Sequence, residues 1–288
     1  MLAQVHPLSY VSPDAELGAG TTVGPFAVIE ENVQTGPNCS IHAHAVLKRG
    51  IQLGADNIVG EYAVLGGEPQ HIVPPEMTGG LTIGHRNVFR EHVTIHRAMR
   101  AGAETVIGDG NLLMVNAHVA HDCLLESQII LANNVMLAGH VEVQSRAYLG
   151  GAVGVHQFCR VGTLAMIGGQ ARVTKDVPPY VTVDGDSSCI VGLNLVGLRR
   201  GGFSVEELGE LKDAYRFIYR SGLLWSDLQE QMRQRFTSTC TSAFSKFFAV
   251  GNRGFTPERR GPVARSIIKL PEIPSDGSPA APTLRKTG

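Results

Sequence analysis

The sequence feature that most restricts the fold is a six-residue repeat of aliphatic residues, kept in one phase from Val5 to Val173. Of the 29 positions in this phase, 24 are Val, Ile or Leu. The exceptions are Thr35, His71, Met77, Phe89 and Ala101. A six-residue repeat is typical of a parallel β-helix, in which each unit forms one flat side of a coil and directs its aliphatic residue to the axis. We therefore predict a mainly β protein, a parallel β-helix over residues 1–190.

Two stretches break the pattern without shifting its phase. Residues 66–82 and 97–105 contain Pro, Gly and charged residues where coil residues are expected. The aliphatic phase resumes at Ile83 and again at Ile107. We interpret both stretches as loops extruded from the β-helix, each replacing whole sides of a coil. Long loops on a rigid scaffold are common positions for binding groups.

The C-terminal third follows a different pattern. Ser204 and Glu207 form a capping box, and apolar residues at 208, 211, 215 and 218 have the spacing of an amphipathic helix. Further helices are predicted at 226–236 and 241–250. We predict a small α-helical domain over 191–252, which covers the open end of the β-helix. The Pro- and Arg-rich segment 253–288 is predicted to be a disordered tail.

The histidines become informative when they are placed on this repeat. Three sides close one coil, so residues 18 apart should lie on neighbouring coils, about 4.8 Å apart. This rule places His121, Gly139 and Gln157 in one column. The neighbouring column contains Asp122, His140 and Phe158. The spacing therefore predicts a polar strip on the surface of an otherwise regular solenoid.

This strip has a candidate general base and a candidate oxyanion donor. A histidine such as His121 can accept a proton at neutral pH, and a nearby carboxylate such as Asp122 can fix its tautomer. The backbone N–H of Gly139 can stabilise an oxyanion. Adjacent residues on a flat side point in opposite directions, however, which would direct Asp122 away from the ring. The alternative interpretation is a solvated polar surface, with Gly139 at a coil corner.

The other polar residues of the strip have two interpretations each. His118, His140 and His156 either position a polar substrate or are surface and structural histidines. Gln157 does not titrate, so it is either a ligand-binding amide or part of an amide ladder. The sequence has no nucleophile, phosphate-loop or Cys/His metal motif. We therefore predict no cofactor and no metal.

Composition limits the partners and the compartment. A formal net charge of -1 argues against nucleic acid as a partner. Five cysteines without a CxxC pair indicate free thiols in a reducing compartment. No run of 18 apolar residues and no signal peptide is found, so we expect no membrane span and a cytoplasmic protein. The flat coil faces favour packing of identical copies into a homo-oligomer.

Several longer motifs resemble one family. They are FREHVTIHRA (89–98), NAHVAHDC (116–123), LANNVMLAGHVEV (131–143), GGAVGVHQFCRVG (150–162), DVPPYV (176–181) and NLVGLRRGGFS (194–204). The chain resembles, over residues 3–254, the UDP-N-acetylglucosamine O-acyltransferases that start lipid A biosynthesis. The resemblance implies a left-handed parallel β-helix and a homotrimer with active sites between subunits. It also implies transfer of an R-3-hydroxyacyl group from acyl carrier protein to the 3-hydroxyl of UDP-N-acetylglucosamine.

The resemblance also implies residue roles. His121 matches the general base, Asp122 the acid that orients it, and Gly139 the oxyanion donor. The positions that match substrate contacts are His118, His140, His156 and Gln157. Asn194 and Arg200 match the nucleotide-binding region. Gly169 matches a small residue that leaves room for a long acyl chain.

The chain departs from the family pattern at three places. The first loop reads QHIVP where the family has QDLKY, so His71 and Val73 replace an Asp and a Lys. One cation of the family's KRR cluster is replaced by Gly201, and Ser187 replaces a histidine near the acyl pocket. These residue types leave the acyl length open, as well as the choice between a hydroxyl and an amine acceptor. The role of the tail after Gly254 is equally open.

Three alternatives remain at this level. The first is a related hexapeptide transferase that uses an amino sugar or an acetyl-CoA donor. The N-acyltransferase of the same pathway would need a separate uridine-binding domain before the repeats, which here begin at Val5. The second is a zinc-dependent enzyme of carbonic anhydrase type, in which histidines such as His118, His121 and His140 bind zinc between subunits. The third is a purely structural β-helix, which would not need the histidine column.

Overall fold

A computed structural model of the chain describes residues 2–73 and 75–259. The repeats form a left-handed parallel β-helix with three sheets, one for each side of the coil. The fold class predicted from the sequence is therefore confirmed.

Short strands form the three sides of the β-helix. In the described chain the first sheet contains Gln4–Val5, Thr22–Val23, Ser40–Ile41, Ile58–Val59, Val88–Phe89, Leu112–Leu113, Ile130–Leu131, Tyr148–Leu149, Met166–Ile167, Val181–Val183 and Ile190–Leu193. The second contains Tyr10–Val11, Val28–Ile29, Val46–Leu47, Val64–Gly67, Thr94–His96, His118–Val119, Met136–Leu137, Gly154–Val155 and Arg172–Val173. The third contains Gln34–Thr35, Gln52–Leu53, Gly80–Ile83, Glu104–Ile107, Leu124–Leu125, Glu142–Val143 and Arg160–Val161.

The aliphatic residues of the repeat fill the axis. Val119 pairs with Leu137, which pairs with Val155 on the next coil, so one coil contains three repeats in this region. Each of these three side chains is buried. Two of the exceptions to the aliphatic rule, Thr35 and Phe89, also point inward and are buried. The other three exceptions lie in the two loops, where no axial side chain is needed.

The two loops are insertions rather than replacements of sides. Leu53 pairs with Ile83, so the coil that contains the first loop is longer than a regular coil by two repeats. Ile95 pairs with Val119, so the coil that contains the second loop is longer by one repeat. The phase survives because both insertions are whole repeats, and the prediction that they replace sides is wrong. The strands also extend into the predicted loops and leave 68–79 and 97–103 as the connections.

The corners of the coil are tight turns with a residue in the left-handed region. Such residues recur at every sixth position in the central coils, and all of them have φ near 60°: Asn116, Asp122, Gln128, Asn134 and His140. A turn of type II requires a positive φ at its third residue, and Asn and Asp tolerate it better than most side chains. The polar columns predicted from the sequence therefore lie at corners.

Four helices follow the β-helix in the described chain. They span Leu195–Arg200, Val205–Arg220, Trp225–Arg235 and Thr239–Phe248. The capping box of Ser204 and Glu207 is present at the start of the second helix. Their apolar faces form a second hydrophobic cluster, which includes Leu198, Leu211 and Phe244 and also Leu164 and Tyr180 of the last coils. No helix of the described chain has both the length and the apolarity to span a bilayer.

A buried ion pair joins the last coils to these helices. Asp176 accepts hydrogen bonds from the backbone N–H of Arg160 at 2.9 Å and from its Nε at 3.3 Å. Arg160 also donates to the carbonyl of Phe247 at 2.6 Å and covers the ring of Phe247. One guanidinium thus connects the solenoid to the fourth helix.

The predicted tail is described only at its beginning. Phe255 pairs with Asp176 and Glu258 pairs with Ile190, both as parallel bridges, so this part of the segment packs on the end of the β-helix. Residues 260–288 of the predicted tail lie outside the described residues. The division into domains at residue 190 stays a prediction.

Candidate active site

The polar strip lies at the corner between the second and third sheets. His121 occupies this corner on the coil whose sides are His118–Val119 and Leu124–Leu125. Both inserted loops leave the β-helix from the same corner, because each connects a strand of the second sheet to one of the third. The loops therefore lie one and two coils before His121. Nothing in the spacing of the repeat required both insertions to occupy the corner of the histidine column.

His121 and Asp122 form a short hydrogen bond. The Nδ1–H of His121 donates to Oδ2 of Asp122 at 2.7 Å, and the two side chains are only 15% and 13% exposed. The expectation that Asp122 points away from the ring is wrong. Both residues lie in a corner turn instead of a flat side, and the φ of 58° at Asp122 turns its carboxylate back to its neighbour. This bond leaves Nε2 of His121 free to accept a proton.

Gly139 lies against the ring of His121, as the stacking of successive coils predicted. A Cβ built on Gly139 would be 2.6 Å from Cε1 and 2.7 Å from Nε2 of His121. Only a residue without a side chain fits beneath the ring. Within the described residues, the N–H of Gly139 has no hydrogen-bond acceptor. The free amide and Nε2 thus border the same space.

Two groups that the sequence analysis missed hold Asp122 in place, one through its backbone and one through its carboxylate. The hydroxyl of Thr105 accepts a hydrogen bond from the backbone N–H of Asp122 at 2.8 Å. The backbone N–H of Met99, in the second loop, donates to Oδ2 of Asp122 at 3.2 Å. Thr105 is fully buried. It lies 18 residues before Cys123, so a polar residue in an inward-facing column is the sequence signal that would have identified it. The Met99 amide has no signal in the sequence.

Two clefts meet at His121. The first has a volume of about 730 Å³ and is bordered by the first loop, the corner residues and the outer face of the second sheet. The second has a volume of about 670 Å³ and lies on the side of the second loop. Three residues line both clefts: His71, His121 and Gln157. The His–Asp pair therefore separates two spaces, each large enough for part of a substrate.

The structure brings four of the predicted contact residues to these clefts. His118, His156 and Gln157 line the first cleft, and Gln157 lines the second with His140. Nδ1 of His118 is 2.8 Å from Oγ1 of Thr94, and burial lowers the pKa of His118 to about 4. The Nδ1–H of His156 donates to the carbonyl of Gln157 at 3.1 Å. His118 is therefore neutral near pH 7, while His156 and Gln157 remain exposed to a ligand.

His140 faces the second cleft. Its ring stacks on Phe158 with a centroid distance of 4.6 Å, and Nε2 is 3.7 Å from Oδ2 of Asp122. Burial lowers the pKa of His140, and the Asp122 carboxylate partly offsets this effect. Within the described residues of one chain, a compact group of possible metal ligands contains His121, Asp122 and His140, without the His118 of the zinc alternative.

Three predicted positions lie outside both clefts. The side chain of Asn194 caps the first helix by accepting from the N–H of Gly197, and it donates to the carbonyl of Leu164. Arg200 is exposed in the last turn of that helix, and Gly169 is exposed at the corner between the first and second sheets. Within one chain these residues do not meet His121. Their roles stay predictions.

A hexapeptide β-helix that places a His–Asp pair beside an unpaired glycine amide, at the corner from which two inserted loops leave, defines the class of hexapeptide-repeat acyltransferases. Residues 176–256 match a family model described as UDP-N-acetylglucosamine O-acyltransferase, domain 2. The acyl-[acyl-carrier-protein]–UDP-N-acetylglucosamine O-acyltransferase of Alkalilimnicola ehrlichii is 48% identical over 88% of this chain and 99% of its own length. The chain belongs to the UDP-N-acetylglucosamine O-acyltransferase family.

Other relatives support membership of the same family. The protein of the same name from Synechocystis is 44% identical over 70% of this chain and 72% of its own. Among solved structures, the UDP-N-acetylglucosamine acyltransferase of Francisella novicida superposes with a TM-score of 0.86 at 34% identity. The match covers 88% of this chain and 94% of that one.

Proposed function

We propose that this chain transfers an R-3-hydroxyacyl group from acyl carrier protein to the 3-hydroxyl of UDP-N-acetylglucosamine, the first step of lipid A biosynthesis. The observation that carries the proposal is the contact between His121, Asp122 and Gly139. A base oriented by a carboxylate and an unpaired amide next to it are the two groups that acyl transfer to a hydroxyl needs.

The reaction starts at Nε2 of His121. The hydroxyl of the acceptor lies against this nitrogen, which removes the proton as the oxygen attacks the thioester carbonyl. Asp122 keeps the Nδ1–H oriented and stabilises the imidazolium that forms. The carbonyl oxygen becomes negative and receives a hydrogen bond from the N–H of Gly139. Collapse of the tetrahedral intermediate expels the thiolate of the carrier, which takes the proton from His121.

The two clefts provide separate spaces for the acceptor and the acyl donor. The first cleft has a largely apolar floor, formed by the outer face of the second sheet, with Met136 and Gly154 between His118 and Arg172. The second contains Arg100 and His140, which can donate to polar groups. We assign the acyl chain to the first cleft and the polar acceptor to the second. Gln157 and His71 border both and are placed to orient either ligand.

We also propose that the active form is a homotrimer in the cytoplasm. The first loop carries three apolar side chains without cover in a single chain: Ile72, Val73 and Met77 are 99%, 69% and 71% exposed. A neighbouring copy that covers this loop would close the first cleft, which is open on one face. Replacing Ile72 with Asp should lower the mass measured by light scattering, whereas an unchanged trimer would exclude the loop from the interface.

The direct test is turnover with purified acyl carrier proteins that carry 3-hydroxyacyl chains of different lengths. UDP-N-acetylglucosamine and its 3-amino analogue are offered as acceptors, because His71, which borders both clefts, and Val73 replace an Asp and a Lys of the family's first loop. We expect an ester product from the hydroxyl acceptor. A protein that acylates only the amine, or that uses only acetyl-CoA, would contradict the proposal.

His121→Ala tests the mechanism in the same assay. It should lower kcat by roughly 100-fold to 10000-fold, the usual contribution of a general base. Asp122→Asn keeps the shape of the side chain and should lower kcat as well, because it no longer enforces one tautomer. The exposed His6→Ala is a matched control without contact to the corner. Near-normal turnover of His121→Ala would reject the assignment of the base.

A further inference from the structure

The side chains of His121, Asp122 and His140 meet where the corner opens to the second cleft. Oδ2 of Asp122 is 2.7 Å from Nδ1 of His121 and 3.7 Å from Nε2 of His140. Each residue offers one ligand atom, and the three atoms lie within 4.8 Å of one another. In a tetrahedral zinc site with bonds of about 2.0–2.1 Å, neighbouring ligand atoms are roughly 3.3 Å apart. Small side-chain rotations therefore give the geometry that zinc requires.

We propose that these three side chains form an inhibitory site for a divalent transition-metal ion, of which Zn²⁺ fits best. Two imidazole nitrogens and one carboxylate oxygen form a ligand set typical of open zinc sites, and a water molecule from the second cleft completes it. The amide of Met99 holds the carboxylate of Asp122, and the hydroxyl of Thr105 holds the backbone N–H of the same residue. This inference rests on the proposed function, because it attributes inhibition to loss of the base.

The inhibition follows from the two nitrogens of one ring. Without metal, Nδ1 of His121 carries the proton and donates it to Asp122, which leaves Nε2 as the acceptor. A Zn²⁺ ion bound to Nδ1 occupies that lone pair, so the single ring proton moves to Nε2. No proton is lost from the neutral ring. The nitrogen that faces the acceptor hydroxyl is then protonated and cannot take the hydroxyl proton.

One nearby cation opposes metal binding. Arg100, in the second loop, lines the same cleft and contributes to lowering the pKa of His140, although burial is the largest cause. Asp122 supplies a negative charge that offsets it. We therefore expect Arg100→Ala to bind Zn²⁺ more tightly than the unmodified chain. An increase in zinc affinity in Arg100→Ala would indicate that the ion binds at this corner, because surface histidines elsewhere are not affected by the charge of Arg100.

The test is calorimetric titration of Zn²⁺ into the full-length, chelator-treated protein without substrate. We expect one ion per chain. Co²⁺ in place of Zn²⁺ should give the visible absorption of a four-coordinate site. His140→Gln and Asp122→Asn should each weaken binding at least as much as the roughly 10- to 100-fold loss expected for an outer-shell partner. His156→Gln, an exposed histidine of the first cleft, is the matched control and should bind Zn²⁺ as the unmodified chain does.

Activity gives the second readout. Zn²⁺ should inhibit acyl transfer, and EDTA should restore it completely. Failure to bind one ion per chain, or unchanged affinity in both ligand variants, would overturn the metal site while leaving the proposed function intact. Absence of turnover in EDTA would instead count against the proposed function, and the binding data would be unaffected.

Discussion

Thr105 supports Asp122 from inside the β-helix: its buried hydroxyl accepts the backbone N–H of Asp122 at 2.8 Å, one residue from the proposed base. This bond fixes the corner turn in which the carboxylate returns to the ring of His121. The side chain of Thr105 touches no substrate space and acts through the position of Asp122.

Thr105→Val tests this support. Valine keeps the shape but leaves the Asp122 amide without an acceptor, which should cost about 1–3 kcal/mol of stability. We also expect kcat to fall by roughly 10-fold with little change in KM, because a displaced base mainly affects the transition state. Thr105→Ser restores the acceptor and should recover most of the activity. A valine variant that loses stability but keeps normal kcat would show a purely structural role.

Gly139→Ala tests the contact between the proposed oxyanion donor and the proposed base. The backbone of Gly139 does not have positive φ, so the only obstacle to alanine is the collision of its Cβ with the His121 ring. Displacing the ring should lower kcat by roughly 100-fold. Gly154→Ala, whose Cβ meets no atom within 4 Å, is the control for folding and should leave the melting temperature unchanged. Normal turnover of Gly139→Ala would contradict this geometry.

The depressed pKa of His118 predicts a pH dependence of stability. Its pKa falls from 6.5 to about 4 on folding because burial disfavours the charged ring. Between these values the unfolded chain binds a proton that the folded chain does not. Above pH 6.5 the free energy of unfolding is therefore not reduced by His118. As the pH falls toward 4 the free energy of unfolding decreases, and the decrease from His118 is at most about 2 kcal/mol at pH 5.

Urea unfolding at pH 7.5 and pH 5 measures this effect. His118→Gln has no titrating group at this position and should show a smaller loss of stability between the two values. Burial also lowers the pKa of His96 and of His140, so part of the pH dependence should remain in the variant. An identical loss in both proteins would exclude His118 as a contributor.

Asp176→Ala tests the anchor between the β-helix and the helices. Removing this fully buried carboxylate leaves the guanidinium of Arg160 without its partner, which should cost about 3–5 kcal/mol. Asp213→Ala is the control, because its pair with Arg216 is exposed and should contribute less than about 0.5 kcal/mol. Thermal denaturation compares the two. Equal melting temperatures would show that the helices are held mainly by apolar contacts.

Much of the site follows from the repeat alone. Because three repeats complete one coil, the position of His121 in the sequence is enough to place Gly139 and Gln157 in the same column. The contact of His121 with Asp122 did not follow, since it depends on the left-handed φ of Asp122 at a corner. A period of six identifies which residues stack, but it does not say which of them lie at the turns.

The sequence by itself determined the solenoid, its phase and the histidine column, because these depend on interactions between neighbouring coils that a fixed period encodes. Only the tertiary structure decided that both inserted loops leave from the corner of that column, so that the amide of Met99 reaches Asp122. Loop conformation depends on contacts between residues distant in the chain, and no local period records them. Asn194, Arg200 and Gly169, which family motifs indicate, lie apart from His121 within one chain, on the first helix and at another corner of the coil.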